Sequence, residues 1–201
     1  MNTYLLEIGL EEMPAQMILP AVEQLKSLAE KTCEKHRLNF NDLNAYSSPR
    51  RLAIELSGLP DKENDRKVEL KGPPLSVAKD ADKNWTKAAE GFARKNNISI
   101  QSLETKTIDG KEYLFAQQRE LGQPVPELLQ ESALQWISQL SFPKNMRWGS
   151  YRTRYIRPIR WVVSLWNSKV VPIKLEMLVA GNQTRGHRFL STGYSKIKHA
   201  S

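Results

Sequence analysis

The chain has 201 residues, 40% of them hydrophobic and 26% charged, enough for one medium domain or two small ones with an ordinary core, which excludes global disorder. No run of about 18 apolar residues occurs, so there is no membrane-spanning helix; the opening Met1-Asn2-Thr3-Tyr4-Leu5-Leu6-Glu7 has no basic segment and meets an acid too early for a signal peptide. The formal charge of +8 is unevenly spread: residues 1–131 hold 18 Lys and Arg against 21 Asp and Glu, and residues 132–201 hold 12 against the single Glu176. A basic half joined to a mildly acidic one suits a chain that meets a polyanion, although a solvated basic face or an acidic partner subunit accounts for the same charge. One cysteine, Cys33, makes neither an internal disulfide nor a Cys-rich metal site, which leaves a reducing cytosol as the default location.

Tyr4 to Gly9 reads as a short strand. Ile18, Val22, Leu25, Ala29 and Cys33 follow at spacings that place them on one helical face. Glu11 and Glu12 precede this helix and Lys31, Lys35 and Arg37 close it, as the helix dipole favours. Residues 52–56 form a second strand ending at Gly58-Leu59-Pro60, and the charged stretch 61–67 is expected to be exposed. Val68-Glu69-Leu70 is a short strand before the rigid turn Gly72-Pro73-Pro74. Thr86 is placed as the N-cap of a helix carrying Trp85, Ala88, Ala89, Phe92 and Ala93, closed by Asn96-Asn97.

Asp109-Gly110, between two alternating runs, is the strongest hairpin signal in the chain. Pro126 opens a helix with Val125, Leu129, Ala133, Trp136, Ile137 and Leu140 on its inner face. Two strands are then expected, one with Ile159, Trp161, Val163 and Leu165 on a shared face, the other with Val171, Ile173, Leu175 and Met177. Pro172 makes the second an edge or bulged strand. About three helices and six or seven strands without a β-α-β rhythm give an α+β fold with a mixed or antiparallel sheet, with a possible division into two subdomains near residues 120–140, where Gly122, Pro124 and Pro126 cluster.

No phosphate-binding glycine loop, dinucleotide fingerprint, zinc-protease motif or nucleophile elbow is present. His36, His187 and His199 are scattered, and none stands at metal-ligand spacing from Cys or carboxylates, so no metal site and no catalytic residue is assigned. Glu7, Glu11 and Glu12 read as helix-dipole partners rather than an acid/base pair. Cys33 and His36 read as a packed thiol and a helix-end imidazole.

Three basic segments stand out. Ser48-Pro49-Arg50-Arg51 is a turn whose adjacent guanidiniums suit either phosphate contact or an internal ion pair. Residues 142–161 hold Lys144, Arg147, Arg152, Arg154, Arg157 and Arg160 interleaved with Trp148, Tyr151, Tyr155 and Trp161. Cations with aromatics can grip a nucleic-acid backbone and stack on unpaired bases; the same interleaving also arises when cation–π contacts fix a loop on a core. Thr184-Arg185-Gly186-His187-Arg188-Phe189 is a further basic turn, in which Gly186 allows positive φ or a close approach, and His187 either titrates near neutrality or bonds the backbone.

Seven ordered blocks carry a resemblance to one family: LEIGLEEMP at Leu6–Pro14, SPRRLA at Ser48–Ala53, KGP at Lys71–Pro73, TKAAEGFA at Thr86–Ala93, FPKNMRW at Phe142–Trp148, RPIRW at Arg157–Trp161 and TRGHRF at Thr184–Phe189. Together they resemble the N-terminal region of the beta subunit of bacterial, two-subunit-type glycyl-tRNA synthetases. The chain departs from that pattern at Lys79–Trp85, where the family usually has Phe, Gly and Pro near Lys79, Lys83 and Trp85. Family members are several times longer, so the resemblance implies that the later domains are absent here.

The resemblance implies an enzyme that attaches glycine to its tRNA with ATP and magnesium in an assembly of two alpha and two beta subunits. The alpha subunit would hold the ATP and glycine site, and the beta subunit would mainly supply tRNA binding. This chain, in the cytoplasm, would then carry no cofactor and no aminoacylation of its own. The residues expected toward tRNA are Arg50, Arg51, Lys144, Arg147, Trp148, Arg152, Arg154, Arg157, Arg160, Arg185 and Arg188. The rival expectation is an assembly module whose basic face docks on the alpha subunit. An editing-type pocket, as in the related phenylalanine enzyme, rests on fold analogy alone, and glycine, the smallest amino acid, gives little reason to edit.

Overall fold

The computed structural model describes residues 1–80, 84–176, 178–187, 189–191 and 193–201. In chain order these form β1 (Asn2–Leu10), α1 (Ala15–His36), β2 (Asp42–Ser48), β3 (Arg51–Leu59), β4 (Arg66–Pro74), α2 (Leu75–Ala78), α3 (Lys87–Lys95), β5 (Glu104–Ile108), β6 (Lys111–Glu120) and α4 (Val125–Gln139). Then come β7 (Met146–Arg147), β8 (Arg154–Tyr155), β9 (Ile159–Trp166), β10 (Lys169–Val170), β11 (Gln183–Arg185) and β12 (Tyr194–Lys196). Every pair of these strands is antiparallel, and the fold is α+β. The chain divides into two compact units, residues 1–63 with 123–201, and residues 64–122.

The first unit is built on a five-stranded sheet in the order β10-β9-β1-β3-β2. Alternation along β1 turns Tyr4, Leu6, Ile8 and Leu10 to one face, where α1 and α4 cover them with Leu25, Ala29, Leu129, Ala133 and Trp136. Each fully buried Leu or Ile there contributes about 1.5–3 kcal/mol. Two polar groups in this core are paired: Trp136 Nε1 donates to Thr32 Oγ1 at 2.8 Å, and the Tyr4 hydroxyl bonds Ser164 Oγ at 3.0 Å, whereas the buried Tyr155 hydroxyl has no hydrogen-bond partner among the described residues. Burial pushes the Tyr4 hydroxyl pKa well up, and that of the packed Cys33 thiol up to about 11, with the Glu30 charge adding to the latter.

Several local expectations change on folding. The segment 42–48 pairs along β3 as an edge strand that hydrophobic alternation does not announce. Ile159 does not share a face with Trp161. A register irregularity sets Gly9 opposite Trp161 and Leu10 opposite Ile159, so Ile159 joins the helix-covered core while Trp161, Val163 and Leu165 pack on the other side. The expected strand over 171–177 does not form a ladder: the pairing with β9 ends at β10, just before it, and only Lys174 bridges Val179; Val171, Ile173 and Leu175 still bury their side chains, and Met177 lies outside the described residues.

The chain leaves and re-enters this unit through a short paired stem. Lys62 bridges Pro124, Glu63 N–H donates to Gln123 O, and Val125 N–H donates to Asp61 O, both at 2.9 Å. The Glu63 carboxylate bonds His36 Nδ1 at 2.7 Å and accepts the Gln123 N–H at 3.0 Å. Partial burial raises the pKa of Glu63, but the Gln123 N–H and the His36 ring outweigh it and hold the carboxyl below its usual range.

The second unit is a three-stranded sheet, β4-β6-β5, with α2 and α3. Asp109 and Gly110 both take positive φ, 49° and 74°, as a two-residue hairpin turn requires. β4 does not stop before Gly72-Pro73-Pro74; after an irregularity it pairs again at Pro74 opposite Tyr113. Thr86 precedes α3 but does not cap it, because its hydroxyl donates to Val77 O at 2.7 Å. The core here is small, built on Ala78, Ala89 and Leu114. Residues 81–83, within the segment where the family pattern is broken, lie outside the described residues.

Candidate nucleic-acid interface

The helix-free face of the five-stranded sheet carries a buried carboxylate. Glu7 follows Leu6 on β1, so alternation turns it away from the main core, and it is 5% exposed. Register places Ala53 opposite it on β3 and Val163 on β9, and the residues around them close over it. Trp161 Nε1 donates to Glu7 Oε1 at 2.6 Å, the Thr184 hydroxyl bonds the same oxygen, and Arg51 Nε lies 3.2 Å from Oε2. Arg51 also donates to Thr184 Oγ1 at 3.2 Å and to Arg185 O, and its guanidinium carbon sits 6.0 Å from the Trp161 ring centre. Gly9 makes this possible. A Cβ there would stand 1.9 Å from the indole, so only glycine lets Trp161 lie flat on β1.

This network ties the Ser48–Arg51 turn to the Thr184–His187 turn, and a cleft of about 500 Å³ opens between them. Pro49, Arg50, Trp161, Arg185, His187 and Phe189 line it, with Glu12 at one wall. A neighbouring polar chamber of about 300 Å³ shares Arg50, Arg185, Gly186 and His187 and adds Glu11 and Ser191. The Nε of Arg50 is buried with no hydrogen-bond partner among the described residues. The 186–191 turn is held from within: Ser191 N–H and Oγ both donate to His187 O, at 3.0 and 2.8 Å. His187 Nδ1 accepts the Phe189 N–H at 3.2 Å, so this histidine bonds the backbone and carries its proton on Nε2.

Within the 142–161 segment, Met146 to Tyr155 fold as the β7–β8 hairpin, and the end of the segment, from Ile159, enters β9. The hairpin arginines Arg147 and Arg154 are directly opposed across the ladder, and neither meets an acid among the described residues. The hairpin loop is anchored by the one acid of the basic half: Glu176 Oε2 accepts from Arg152 N, Thr153 N and Thr153 Oγ1 at 2.8–3.0 Å. The Thr153 N–H, first among these donors, holds the Glu176 carboxyl below its usual range. Trp148 Nε1 donates to Tyr155 O at 3.0 Å and lines a further cleft with Arg160 and Tyr194. Arg185 lies over that same Tyr194 at 4.6 Å, which makes the surface continuous from Arg160 to Arg50.

The cationic residues singled out in sequence therefore separate into groups. Arg50, Arg160 and Arg185 gather on this continuous surface. Lys144, Arg147, Arg152 and Arg154 are exposed on and beside the hairpin. Arg51 is drawn inward by Glu7, and Arg157 is spent on backbone, donating to Glu12 O at 2.9 Å and Ile156 O at 3.3 Å. Arg188 lies outside the described residues. Glu11 and Glu12 are not helix-dipole partners: the first turn of α1 contains no acid, and Glu11 instead pairs with Arg160 at 3.3 Å. Sequence alone places Glu7 among helix-dipole partners and Thr184 in a basic turn, neither with the role found here, and it does not single out Tyr194. Glu7 carries a local signal, a carboxylate inside an otherwise apolar strand, whereas Tyr194 carries none. Among the described residues no helix is long and apolar enough to cross a membrane, and no group of three or more His, Cys, Asp or Glu could hold a metal ion.

Fold and surface together define an antiparallel α+β chain whose basic turns converge on one cationic, aromatic-lined face. The chain belongs to the glycyl-tRNA synthetase beta subunit family, which it matches over residues 4–201. It is 46% identical over 189 residues to the glycine–tRNA ligase beta subunit of Limosilactobacillus fermentum, covering 94% of this chain and 27% of that protein. The corresponding protein of Moorella thermoacetica is 44% identical over 195 residues, 97% of this chain and 28% of its own length. That of Picosynechococcus is 42% identical over 205 residues, all of this chain and 29% of its own length. The chain thus spans less than a third of the length of these relatives.

Proposed function

We propose that the chain is the amino-terminal portion of a glycine–tRNA ligase beta subunit, a cytoplasmic protein that joins an alpha subunit and supports tRNA binding for ATP-dependent glycylation. In this reading the chain performs no catalytic step itself, and ATP and magnesium act on the alpha subunit. The observation that carries it is the gathering of Arg50, Arg160 and Arg185 around adjoining clefts with Trp161 and Tyr194. Guanidiniums beside aromatic faces suit a phosphate backbone with accessible bases. The opposed Arg147 and Arg154 add support, because like charges facing each other across a ladder are destabilising until an anion lies between them. Filter binding of tRNA across a salt series tests the reading. Neutralising about four phosphates gives a log–log slope near about −3. Salt-independent binding, or none, would sink it.

A second reading, a docking module for the alpha subunit without tRNA contact, is favoured by the apolar side chains of Leu19 and Val179, which are 66% and 67% exposed. Capture of the chain by alpha subunit, undiminished by excess tRNA and unaccompanied by tRNA binding, selects this second reading.

A further inference from the structure

The two chambers between the Ser48–Arg51 turn and the 185–191 turn differ in chemistry while sharing their cations. The larger, about 500 Å³, is predominantly apolar, with Trp161 and Phe189 among its lining; the smaller, about 300 Å³, is predominantly polar. Both fall in or at the edge of the roughly 300–1000 Å³ range of small-molecule sites. Arg50 and Arg185 stand where the two meet. A ligand that fills both has a flat apolar body and an anionic group beside it.

Three further features narrow the ligand. The Nε atoms of Arg50 and Arg51 are both buried without a hydrogen bond, but that of Arg51 has the Glu7 carboxylate 3.2 Å away while that of Arg50 has no acid paired with it among the described residues, a lack that a bound anion makes good. The turn thus presents one committed guanidinium and one available one. Phe189 is 81% exposed at the rim, with its ring centre 6.0 Å from that of His187. An aromatic side chain held out in water beside arginines gains little from a duplex, whose base faces are covered, and much from an unstacked base. Ser191 ties back to the other side of Phe189: a Cβ on Gly186 would stand 2.3 Å from Ser191 Oγ, and His187 O is bonded twice by Ser191. With Nδ1 occupied by the Phe189 N–H, the His187 Nε2–H is left as a donor.

We infer that this cleft is a site for one unpaired nucleotide of an RNA, its phosphate held in the polar chamber by Arg50 and Arg185 and its base laid in the apolar chamber against Phe189. The inference rests on the RNA-binding reading above and sharpens it, because it assigns this face to a single-stranded segment and leaves the Arg147–Arg154 hairpin to backbone phosphates.

The test uses the full 201-residue chain and fluorescence anisotropy with two probes of equal phosphate number, a short single-stranded oligoribonucleotide and a blunt-ended RNA hairpin. The single strand binds roughly tenfold tighter, Phe189→Ala abolishes that preference without weakening the hairpin, and Phe189→Trp retains it. Arg50→Gln weakens the single strand more than the hairpin. Because Phe189 is exposed, the Ala variant keeps the wild-type thermal midpoint, so a lost preference is not a lost fold. Equal binding of the two probes, or an equal loss on both with Phe189→Ala, overturns the site while RNA binding itself stands. Absence of tRNA binding in the filter assay overturns the broader reading and the site with it.

Discussion

The two faces of the five-stranded sheet share the same strands and do different work. On one face Tyr4, Leu6, Ile8 and Leu10 disappear beneath two helices, and the Tyr4 hydroxyl and Trp136 indole are paired inside the core. On the other, the intervening positions Leu5, Glu7 and Gly9 meet a small cluster of Trp161, Val163, Leu165 and Ala200 and a charged network that ends in an open cleft. A period-two strand separates the two roles by one residue: the even positions of β1 supply most of the burial, and the odd ones hold the turns that present arginines. The neighbours Arg50 and Arg51 repeat the division on a smaller scale. One lines the cleft with an unpartnered nitrogen, and the other is bound to Glu7.

If stability resides mainly on the helix-covered face, Trp136→Ala has the largest effect. It opens a cavity under α4, removes the edge contact with Tyr4 at 6.4 Å and takes away the indole donor to the Thr32 hydroxyl, which keeps its own bond to Leu28 O at 2.9 Å. A loss of about 4 kcal/mol is expected in urea denaturation. RNA affinity of the fraction that remains folded should be unchanged, and a parallel loss of affinity would break the division between the faces.

Glu7→Ala comes next, at about 3 kcal/mol, since it leaves Arg51 without its counter-charge and Trp161 and Thr184 without their acceptor. Unlike the Trp136 change, it should also lower RNA affinity by loosening both basic turns. The double variant Glu7→Ala, Arg51→Met should recover part of the stability, because the second change removes the stranded charge. Failure of that recovery would show that the carboxylate acts on the Trp161 side of the network and not through Arg51.

The smallest effect belongs to Glu176→Ala, which removes the acceptor and frees the loop at Arg152 and Thr153 with only a small drop in the unfolding midpoint. Because the folded carboxyl is held below its ordinary pKa, the anchoring is complete above the usual carboxylate range and is lost as pH falls through the depressed value. Amide NMR shifts of Arg152 and Thr153 should follow that titration in the wild type and be flat in the variant. A flat wild-type response would remove Glu176 as the anchor.

Much of the fold was legible because its signals are local. The helical spacing of Val22, Leu25, Ala29 and Cys33 and the Asp109-Gly110 turn each sit within a few residues of the structure they dictate. So do the seven ordered blocks that carry the family resemblance. The edge strand over 42–48 was not legible: it is bonded on one side only and turns just Leu43 and Ala45 toward the core, too short an apolar alternation to stand out in Asp-Leu-Asn-Ala-Tyr-Ser-Ser. The switch of Ile159 to the other core was equally hidden, because it depends on a register irregularity between β1 and β9, about 150 residues apart in the chain.

By itself, then, the sequence determined most of the element types, the asymmetry of charge and the family. Which arginines remain available was decided only in three dimensions. Arg51 is taken by a carboxylate 44 positions earlier, Arg157 by the carbonyl of Glu12, and Arg160 is shared with Glu11. Ion pairing depends on distance and burial after the strands have found their register, and no spacing along the chain encodes either. The cleft between the turns at 48–51 and 185–191 exists for the same reason: β1, β3 and β9 bring Glu7, Arg51 and Trp161 together, and Thr184 closes the network.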